Sequence, residues 1–127
     1  MHRRTETAAG TGNVVRTRIR VLHGEEIALG PGKADLLEEI DRDGTIAGAA
    51  RRLGMSYNRA WLLLQTMNDC FREPLVETAR GGSRRGHASL TPTGRAVLAL
   101  YRRMERESLE ALAPAWRDLL QFLARTT

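Results

Sequence analysis

The sequence has few of the features that stabilise secreted proteins or anchor membrane proteins. Its 127 residues include one cysteine, Cys70, so the chain cannot close an internal disulfide. No apolar run approaches the roughly 18 residues of a membrane-spanning helix. The polar N-terminus, Met1 to Glu6, is not followed by the apolar stretch of a secretory signal. We therefore expect a cytoplasmic protein, long enough for one domain with a hydrophobic core.

Residue types and spacings that carry enzymatic chemistry are also scarce. The three histidines are scattered through the sequence, and none has metal-ligand spacing with Cys70 or with a carboxylate. No glycine motif of the kind that cradles a phosphate precedes a helix. The sequence therefore predicts neither an enzyme nor a metal site nor a cofactor, and we interpret Cys70 as a small core residue.

What the sequence does contain, over residues 46–64, is the pattern of two helices joined by a tight turn. Thr45 can cap the first helix, and the pair Ala49–Ala50 is small enough for a second helix to cross closely over it. Gly54 lies where the turn needs a left-handed backbone, and Ser56 can cap the second helix. The residues expected to face inward are Ala50, Leu53, Ala60, Leu63 and Leu64, and Met55 is expected to help fill the turn.

The outer side of the second helix carries polar and aromatic side chains near its N-terminus. The recognition helix of a helix-turn-helix protein presents side chains from this region to the major groove of DNA. The pattern therefore favours DNA binding, although a plain helical hairpin in another α-rich core would show the same spacing. The candidate DNA-reading residues are Ser56, Tyr57, Asn58, Arg59 and Trp61.

Two short strand patterns around a basic, glycine-rich loop follow this helix pair. Residues 75–78 alternate apolar and polar side chains, residues 79–87 form the loop, and residues 88–90 can return as the partner strand. Thr91 and Pro92 then suit the cap and the first position of a further helix. The loop alone fits a solvated surface turn, but its place after a helix-turn-helix predicts the wing of a winged helix. The residues expected to touch phosphate or the minor groove are Thr45, Arg80, Ser83, Arg84, Arg85 and His87.

Positive charge is concentrated in the same part of the chain. The whole chain has 20 basic and 15 acidic residues, a net charge of +5. Residues 45–95 contain eight arginines and three acids, also a net of +5, and the remaining residues balance at 12 of each sign. The excess coincides with the proposed DNA-reading segment, as expected for a surface that faces a polyanion, whereas a generally basic protein would spread it evenly.

The sequence before the helix-turn-helix predicts a tail, a strand pair and one helix. Residues 1–12 are polar and small, and we expect a disordered tail there. Residues 14–22 partly alternate arginine with β-branched residues, as a strand does, and residues 26–29 can form its hairpin partner. The stretch Gly30 to Gly32 is expected to interrupt regular secondary structure after the strand pair. Residues 33–43 suit a helix that ends at a glycine.

The last helix is expected to be long, beginning at Pro92, with a kink or a break at Pro114. Its apolar stripe contains more residues than one small hydrophobic core can easily bury. The opposite face of the helix carries charges of both signs. We interpret the stripe as a dimer seam rather than as intramolecular packing. A two-fold dimer would place two recognition helices on successive faces of the major groove. The expected interface residues are Val97, Tyr101, Met104, Leu109, Leu112, Trp116, Leu119, Leu120 and Leu123.

These motifs together resemble a known family. The stretch GTIAGAARRLGMSYNRAW at residues 44–61, followed by Met67-Asn68 and by FREPLV at residues 71–76, resembles the N-terminal domain of the molybdate-dependent transcriptional regulators of the ModE type. The sequence LTPTG at residues 90–94 resembles the same family's exit from the wing. The LysR-type winged helix is a more distant relative in pattern, and the Ser-Tyr-x-x-Ala-Trp segment is the specific feature that favours the ModE type.

The resemblance implies a dimeric winged helix that represses or activates genes for molybdate uptake and molybdoenzymes. In that family DNA binding responds to molybdate, which a separate C-terminal domain of β-strands holds. The sequence ends at Thr127, and we expect no such domain and no small-molecule effector bound by this chain.

As a whole, the sequence predicts a mainly α fold with a small β component. We expect a winged helix-turn-helix with an N-terminal β-hairpin over residues 13–95, followed by a dimerisation helix over residues 96–127. The expected function is a homodimeric transcriptional regulator that binds specific sequences in double-stranded DNA and has no membrane partner. Two alternatives stay open: binding of structured RNA through the same basic face, and an interaction module that pairs with another regulator and titrates it.

Overall fold

The computed structural model describes residues 6–8, 12–79 and 86–125. Its elements are β1 (Glu6–Ala8), β2 (Val14–Arg16), β3 (Val21–His23), β4 (Glu26–Leu29), α1 (Pro31–Asp43), α2 (Ile46–Arg52), α3 (Tyr57–Cys70), β5 (Val76–Thr78), β6 (Ala88–Leu90) and α4 (Pro92–Leu120). The strands pair as antiparallel ladders, β1 with β2, β3 with β4 and β5 with β6. The predicted fold class, mainly α with a helix-turn-helix and a long C-terminal helix, is confirmed.

The chain divides into two compact units. The first unit, residues 20–100, contains the helix-turn-helix and the β3–β4 and β5–β6 ladders. The second unit combines the described residues up to Ile19 with those from Tyr101 onward. The division falls inside α4, after Leu100, and the boundary between residues 95 and 96 stays a prediction.

In the first unit, α1 begins two residues before the predicted helix and includes part of the predicted break. Pro31 lies in the first turn, where a missing N–H costs nothing, and Gly30 precedes it as the N-cap. The Gly-Pro-Gly pattern therefore marks a helix start. Gly44 ends the helix in the left-handed conformation, at φ +85°, and its N–H donates to the carbonyl oxygen of Ile40 at 2.8 Å. The fully buried side chains of α1 are Ala34, Leu36, Leu37 and Ile40.

The only lysine, Lys33, is buried at the start of α1 and so does not contribute to an exposed positive surface. Its ammonium group donates to the backbone carbonyl oxygen of Ile27 in β4. Burial lowers the pKa of Lys33 below its ordinary value of 10.5, and Cys70 and Glu26 act in the opposite direction. This hydrogen bond joins α1 to strand β4 of the β3–β4 hairpin. The sequence predicted the hairpin but not this contact.

The first twenty residues depart from the predicted pattern in two ways. The strand expected over residues 14–22 is present only as β2 and β3, and residues 17–20 between them belong to no strand. In addition, β2 pairs with β1, inside the segment expected to be a disordered tail. That expectation is wrong for residues 6–8, because backbone hydrogen bonds to β2 order a segment with little hydrophobicity of its own. Residues 1–5 and 9–11 lie outside the described part of the chain.

The start of α4 follows the predicted signals closely. Thr91 accepts a hydrogen bond from the N–H of Gly94 at 2.9 Å and donates its hydroxyl proton to the carbonyl oxygen of Pro74 at 2.7 Å. Pro114 lies inside the helix without ending it, so α4 is not split there. None of the described helices combines the length and the apolar character needed to cross a membrane.

Buried side chains in the second unit include a charged pair. The hydroxyl of Tyr101 donates to the carbonyl oxygen of Ile19 at 2.7 Å. Arg102 and Glu105 form an ion pair at 3.0 Å with both side chains nearly inaccessible, and Trp116 is also buried. Because Tyr101 and Trp116 are buried within a single chain, we remove both from the predicted dimer seam.

Candidate nucleic-acid interface

The start of α2 is fixed by a chain of hydrogen bonds through Thr45. Its hydroxyl accepts from the N–H of Gly48 at 3.0 Å, as predicted for the cap, and donates to Oδ2 of Asp43 at 2.5 Å. This hydrogen bond and the neighbouring Arg52 hold the pKa of Asp43 below its ordinary value of 3.8. The hydroxyl proton of Thr45 is therefore already used, and we no longer assign Thr45 to a phosphate contact.

The turn between α2 and α3 has the predicted geometry. Gly54 is left-handed at φ +69°, and the N–H of Met55 donates to the carbonyl oxygen of Ala50 at 3.0 Å. Ser56 then caps α3, its hydroxyl oxygen accepting from the N–H of Arg59 at 3.1 Å. These contacts set the direction in which α3 leaves the turn.

The face of α3 that packs inward is narrow. Ala60, Leu64 and Met67 are buried, while Leu63 is only half-buried. On α2, both members of the Ala49–Ala50 pair are buried, consistent with the close helix crossing expected from their size. Helix α3 is therefore held along one stripe, and the residues near its N-terminus are left open to solvent.

The residues predicted to read DNA all lie on that open surface. Tyr57 and Trp61 are 51% and 42% exposed, and Ser56, Asn58 and Arg59 are exposed as well. Such exposure of two aromatic side chains on a well-anchored helix leaves them available to a partner. One residue that the sequence interpretation did not include, Leu62, is more exposed than either.

The base of the wing is attached to the turn before α2. In the β5–β6 ladder Val76 lies opposite Leu90, and both are buried. Beyond the ladder, the N–H of Ala79 donates to the carbonyl oxygen of His87 at 3.0 Å. The N–H of Ala88 donates to the carbonyl oxygen of Gly44 at 2.9 Å, next to an isolated bridge between Thr45 and His87. His87 is thus an exposed residue at the wing base, whereas the candidates Arg80, Ser83, Arg84 and Arg85 lie outside the described residues.

A second connection, through Asn68, joins the end of α3 to the wing. Its side-chain oxygen accepts from the N–H of Leu75 at 2.8 Å, and its amide nitrogen donates to the carbonyl oxygen of Val76 at 3.3 Å. Sequence reasoning did not assign this role to Asn68. An uncharged amide in the last turn of a helix, shortly before a strand, is the signal that could have indicated it.

Ion pairs reduce the positive surface that the sequence suggested. Arg52 lies 3.7 Å from Asp43 and 3.9 Å from Glu39, and Arg95 lies 2.8 Å from Asp41. Within the described residues, Arg51, Arg59 and Arg72 are exposed and form no ion pair. Arg59 is the one among these three that lies in the first turn of α3.

A capped helix pair, a left-handed glycine turn, an exposed second helix and a strand ladder attached beside them make up a winged helix-turn-helix domain. Residues 33–95 match the bacterial regulatory helix-turn-helix proteins of the lysR family.

Several named relatives are similar to more than half of this chain. The molybdenum-pterin-binding protein MopA of Rhodobacter capsulatus is 45% identical over 84 residues, which cover 66% of this chain and 32% of MopA. The molybdenum transport protein ModE of Azotobacter vinelandii is 42% identical over 85 residues, covering 67% and 32%. The DNA-binding transcriptional dual regulator ModE of Escherichia coli K12 is 38% identical over 71 residues, covering 56% and 27%. The chain spans about a third of the length of these relatives, and its resemblance to the ModE type is confirmed.

Proposed function

We propose that the chain is a transcriptional regulator that binds specific sequences in duplex DNA through α3. The observation that carries the proposal is the outer face of that helix. Four side chains are exposed together on this face: Tyr57, Asn58, Arg59 and Trp61. The helix itself is fixed by the Ser56 cap at its start and by the buried side chains of Ala60, Leu64 and Met67. Amide and guanidinium groups on such a helix match the hydrogen-bonding edges of bases in the major groove.

The wing supports this function by its position. Its base is bonded to the turn before α2, and the first residue of its strand β5 is bonded to the end of α3. Basic residues in the loop between β5 and β6 would reach phosphates or the minor groove adjacent to the base contacts. Arg84 and Arg85 remain sequence predictions for this role.

The names of the relatives favour regulation of transcription. MopA is described as binding molybdenum-pterin and ModE of Azotobacter vinelandii as a molybdenum transport protein, while ModE of Escherichia coli is described as a DNA-binding regulator. The part that this chain shares with them includes the helix-turn-helix. We therefore extend DNA binding to this chain and do not extend molybdenum binding to it.

We further propose that the chain acts as a homodimer through the C-terminal part of α4. Met104 and Leu119 are exposed apolar residues there, Leu109 and Leu112 are half-buried, and Leu123 is exposed just beyond the end of the helix. Exposed apolar side chains grouped on one helix indicate a protein interface. Phe122, which the sequence interpretation left out of the seam, lies beyond the end of α4 and is 87% exposed.

Selection from random duplex DNA tests the function directly. The full chain should enrich one sequence motif, and its affinity for that motif should fall steeply as salt concentration rises, because phosphate contacts release counterions. A scrambled duplex and a structured RNA of equal length are the controls. Equal affinity for all three nucleic acids, or preference for the RNA, would contradict sequence-specific DNA binding.

A further inference from the structure

One exposed apolar side chain on α3 is not accounted for by the predicted DNA contacts. Leu62 is 62% exposed, although it begins a run of three leucines whose last member, Leu64, is buried. At about 100° per residue, Leu62 lies about 170° from the mean direction of the three buried residues of α3. It therefore occupies the middle of the face that points away from the core.

The neighbours of Leu62 on the same helix indicate what this face can recognise. Asn58 is exposed one turn before it, and Trp61 flanks it. Thr66, one turn after it, donates its hydroxyl proton to the carbonyl oxygen of Leu62 at 3.0 Å, so that proton is used within the helix. The centre of the outward face thus combines the Asn58 amide with an apolar surface of leucine size.

We propose that Leu62 contacts the 5-methyl group of a thymine in the major groove and thereby determines sequence preference at that base pair. The proposal rests on the proposed DNA-binding function. Thymine is the base that presents a methyl group in the major groove, where the other bases present polar atoms. A leucine on the outermost line of the recognition helix can bury that methyl group, and it would leave a polar edge at the same position without a partner.

The spacing of Asn58 and Leu62 adds a geometric constraint. Asparagine forms two hydrogen bonds with adenine in the major groove. The rise from Asn58 to Leu62 is about 6 Å along the helix axis, and successive bases of one strand are about 3.4 Å apart along the duplex axis. For a helix that lies along the groove, the thymine is therefore about two base pairs from the adenine.

The experiment replaces thymine by deoxyuridine, which removes only the methyl group. The probe is the duplex that the full chain selects from random sequence, with each thymine replaced in turn. One replacement should weaken wild-type binding about three- to tenfold, the factor expected for one buried methyl group. Leu62→Ala should bind the thymine duplex more weakly by a similar factor and should not distinguish it from the deoxyuridine duplex.

Leu22→Ala is the matched control, because it removes a leucine of equal exposure, 61%, from β3. It should discriminate between the two duplexes as the wild type does. Since both leucines are exposed, both variants should keep the wild-type melting temperature, which separates a lost contact from a lost fold.

Three results would overturn the assignment to Leu62. In the first, Leu62→Ala distinguishes thymine from deoxyuridine as well as the wild type does. In the second, discrimination is lost in Trp61→Ala and retained in Leu62→Ala, so the methyl contact belongs to Trp61. In the third, the wild type selects a duplex but ignores every deoxyuridine replacement, which leaves the DNA-binding proposal intact. Failure to select any duplex would instead overturn the proposed function itself.

Discussion

At the scale of single residues, the hydrogen bonds that begin α2 require space for the Asp43 carboxylate beside Gly48. Asp43 accepts the hydroxyl proton of Thr45, and Thr45 in turn accepts from the N–H of Gly48. A Cβ atom at position 48 would lie 1.9 Å from Oδ2 of Asp43. Glycine at this position therefore leaves room for the carboxylate that supports the helix cap.

Gly48→Ala should destabilise the chain, although alanine forms helix better than glycine by about 1 kcal/mol. The added methyl group would displace the Asp43 carboxylate and break its hydrogen bond with Thr45. In the Asp43→Ala background this conflict is absent, so Gly48→Ala should there stabilise the chain by about 1 kcal/mol. Urea unfolding of the four proteins measures the cycle. Destabilisation of equal size in both backgrounds would show that Asp43 is not the obstacle.

The same carboxylate predicts a dependence of stability on acid. The hydrogen bond from Thr45 and the charge of Arg52 lower the pKa of Asp43 from 3.8. A carboxyl whose pKa is lower in the folded chain stabilises the fold above the unfolded pKa, and this contribution is lost as pH falls through the folded pKa. Asp43→Asn should therefore lose less stability than the wild type when pH is lowered from neutral to below 3.8. Thermal unfolding of both proteins across this range checks it, and parallel curves would count against the prediction.

Arg59 is the residue on which the base-reading role of α3 can be tested most simply. It is exposed in the first turn of α3 and forms no ion pair within the described residues, so its guanidinium group is available to a guanine. Arg59→Ala should weaken binding to the selected duplex by about 1–3 kcal/mol and relax preference at one base pair. Fluorescence anisotropy on selected and scrambled duplexes measures this, with Arg42→Ala, which removes the same charge from α1, as the control. An equal loss on both duplexes would indicate a phosphate contact instead.

At the scale of secondary-structure elements, the helix starts were predictable because their signals are local. Thr45, Ser56 and Thr91 each precede a helix and accept a hydrogen bond from an N–H three residues later. Gly54 occupies the left-handed position that the turn requires. Each of these arrangements is decided within about four residues, so the sequence alone is sufficient to identify it.

Contacts between residues that lie far apart in sequence could not be predicted in the same way. β1 is ordered by backbone pairing with β2, which leaves no hydrophobic pattern. Asn68 bonds to a strand that begins eight residues later. Leu62 belongs to a run of leucines that suggests a core, and only the position of the buried stripe shows that it faces outward. The residues proposed for the first turn of α3 stay predictions, and the exposure of Leu62 in the next turn did not follow from the sequence.

The contact between α4 and the segment before β5 gives a test at this scale. A Cβ atom on Gly94 would lie 2.0 Å from the carbonyl oxygen of Leu75, which is backbone and cannot move as a side chain could. Gly94→Ala should therefore destabilise the chain by about 1–3 kcal/mol or more.

Gly32→Ala is the matched control in the first turn of α1, where a Cβ atom meets nothing within 4 Å. It should be neutral or stabilising by up to about 1 kcal/mol. Chemical denaturation of the two variants measures the difference, and equal stabilities would rule out the close approach of α4 to Leu75.

At the scale of the whole molecule, the net charge overstates the positive surface available to DNA. The sequence count assigned the excess to residues 45–95 and treated the remainder as neutral. In the structure, acids of α1 in that remainder pair with Arg52 and Arg95. The count could not anticipate this because the pairs are made between elements. The salt dependence of binding should therefore correspond to fewer phosphate contacts than the eight arginines of the segment would suggest.

The proposed dimer can be tested at the exposed apolar residues of α4. Because Met104 and Leu119 are exposed, charges introduced there should not disturb the single chain but should prevent an apolar seam from closing. Met104→Glu combined with Leu119→Glu should convert a dimer to a monomer in light scattering at micromolar concentration. Operator affinity should fall with it, since a monomer engages one half-site where a two-fold dimer engages two.

Arg106→Glu combined with Arg117→Glu is the control for this experiment. It changes charge more strongly at exposed positions on another face of the same helix, and it should leave the dimer intact. The comparison separates loss of the dimer from a general effect of charge on DNA binding. A charge effect would be larger in the arginine double variant, whereas loss of the dimer should appear only when Met104 and Leu119 are replaced. A wild-type chain that is already a monomer, yet binds its selected duplex tightly, would show that one recognition helix and one wing are sufficient and that the apolar surface of α4 has another partner.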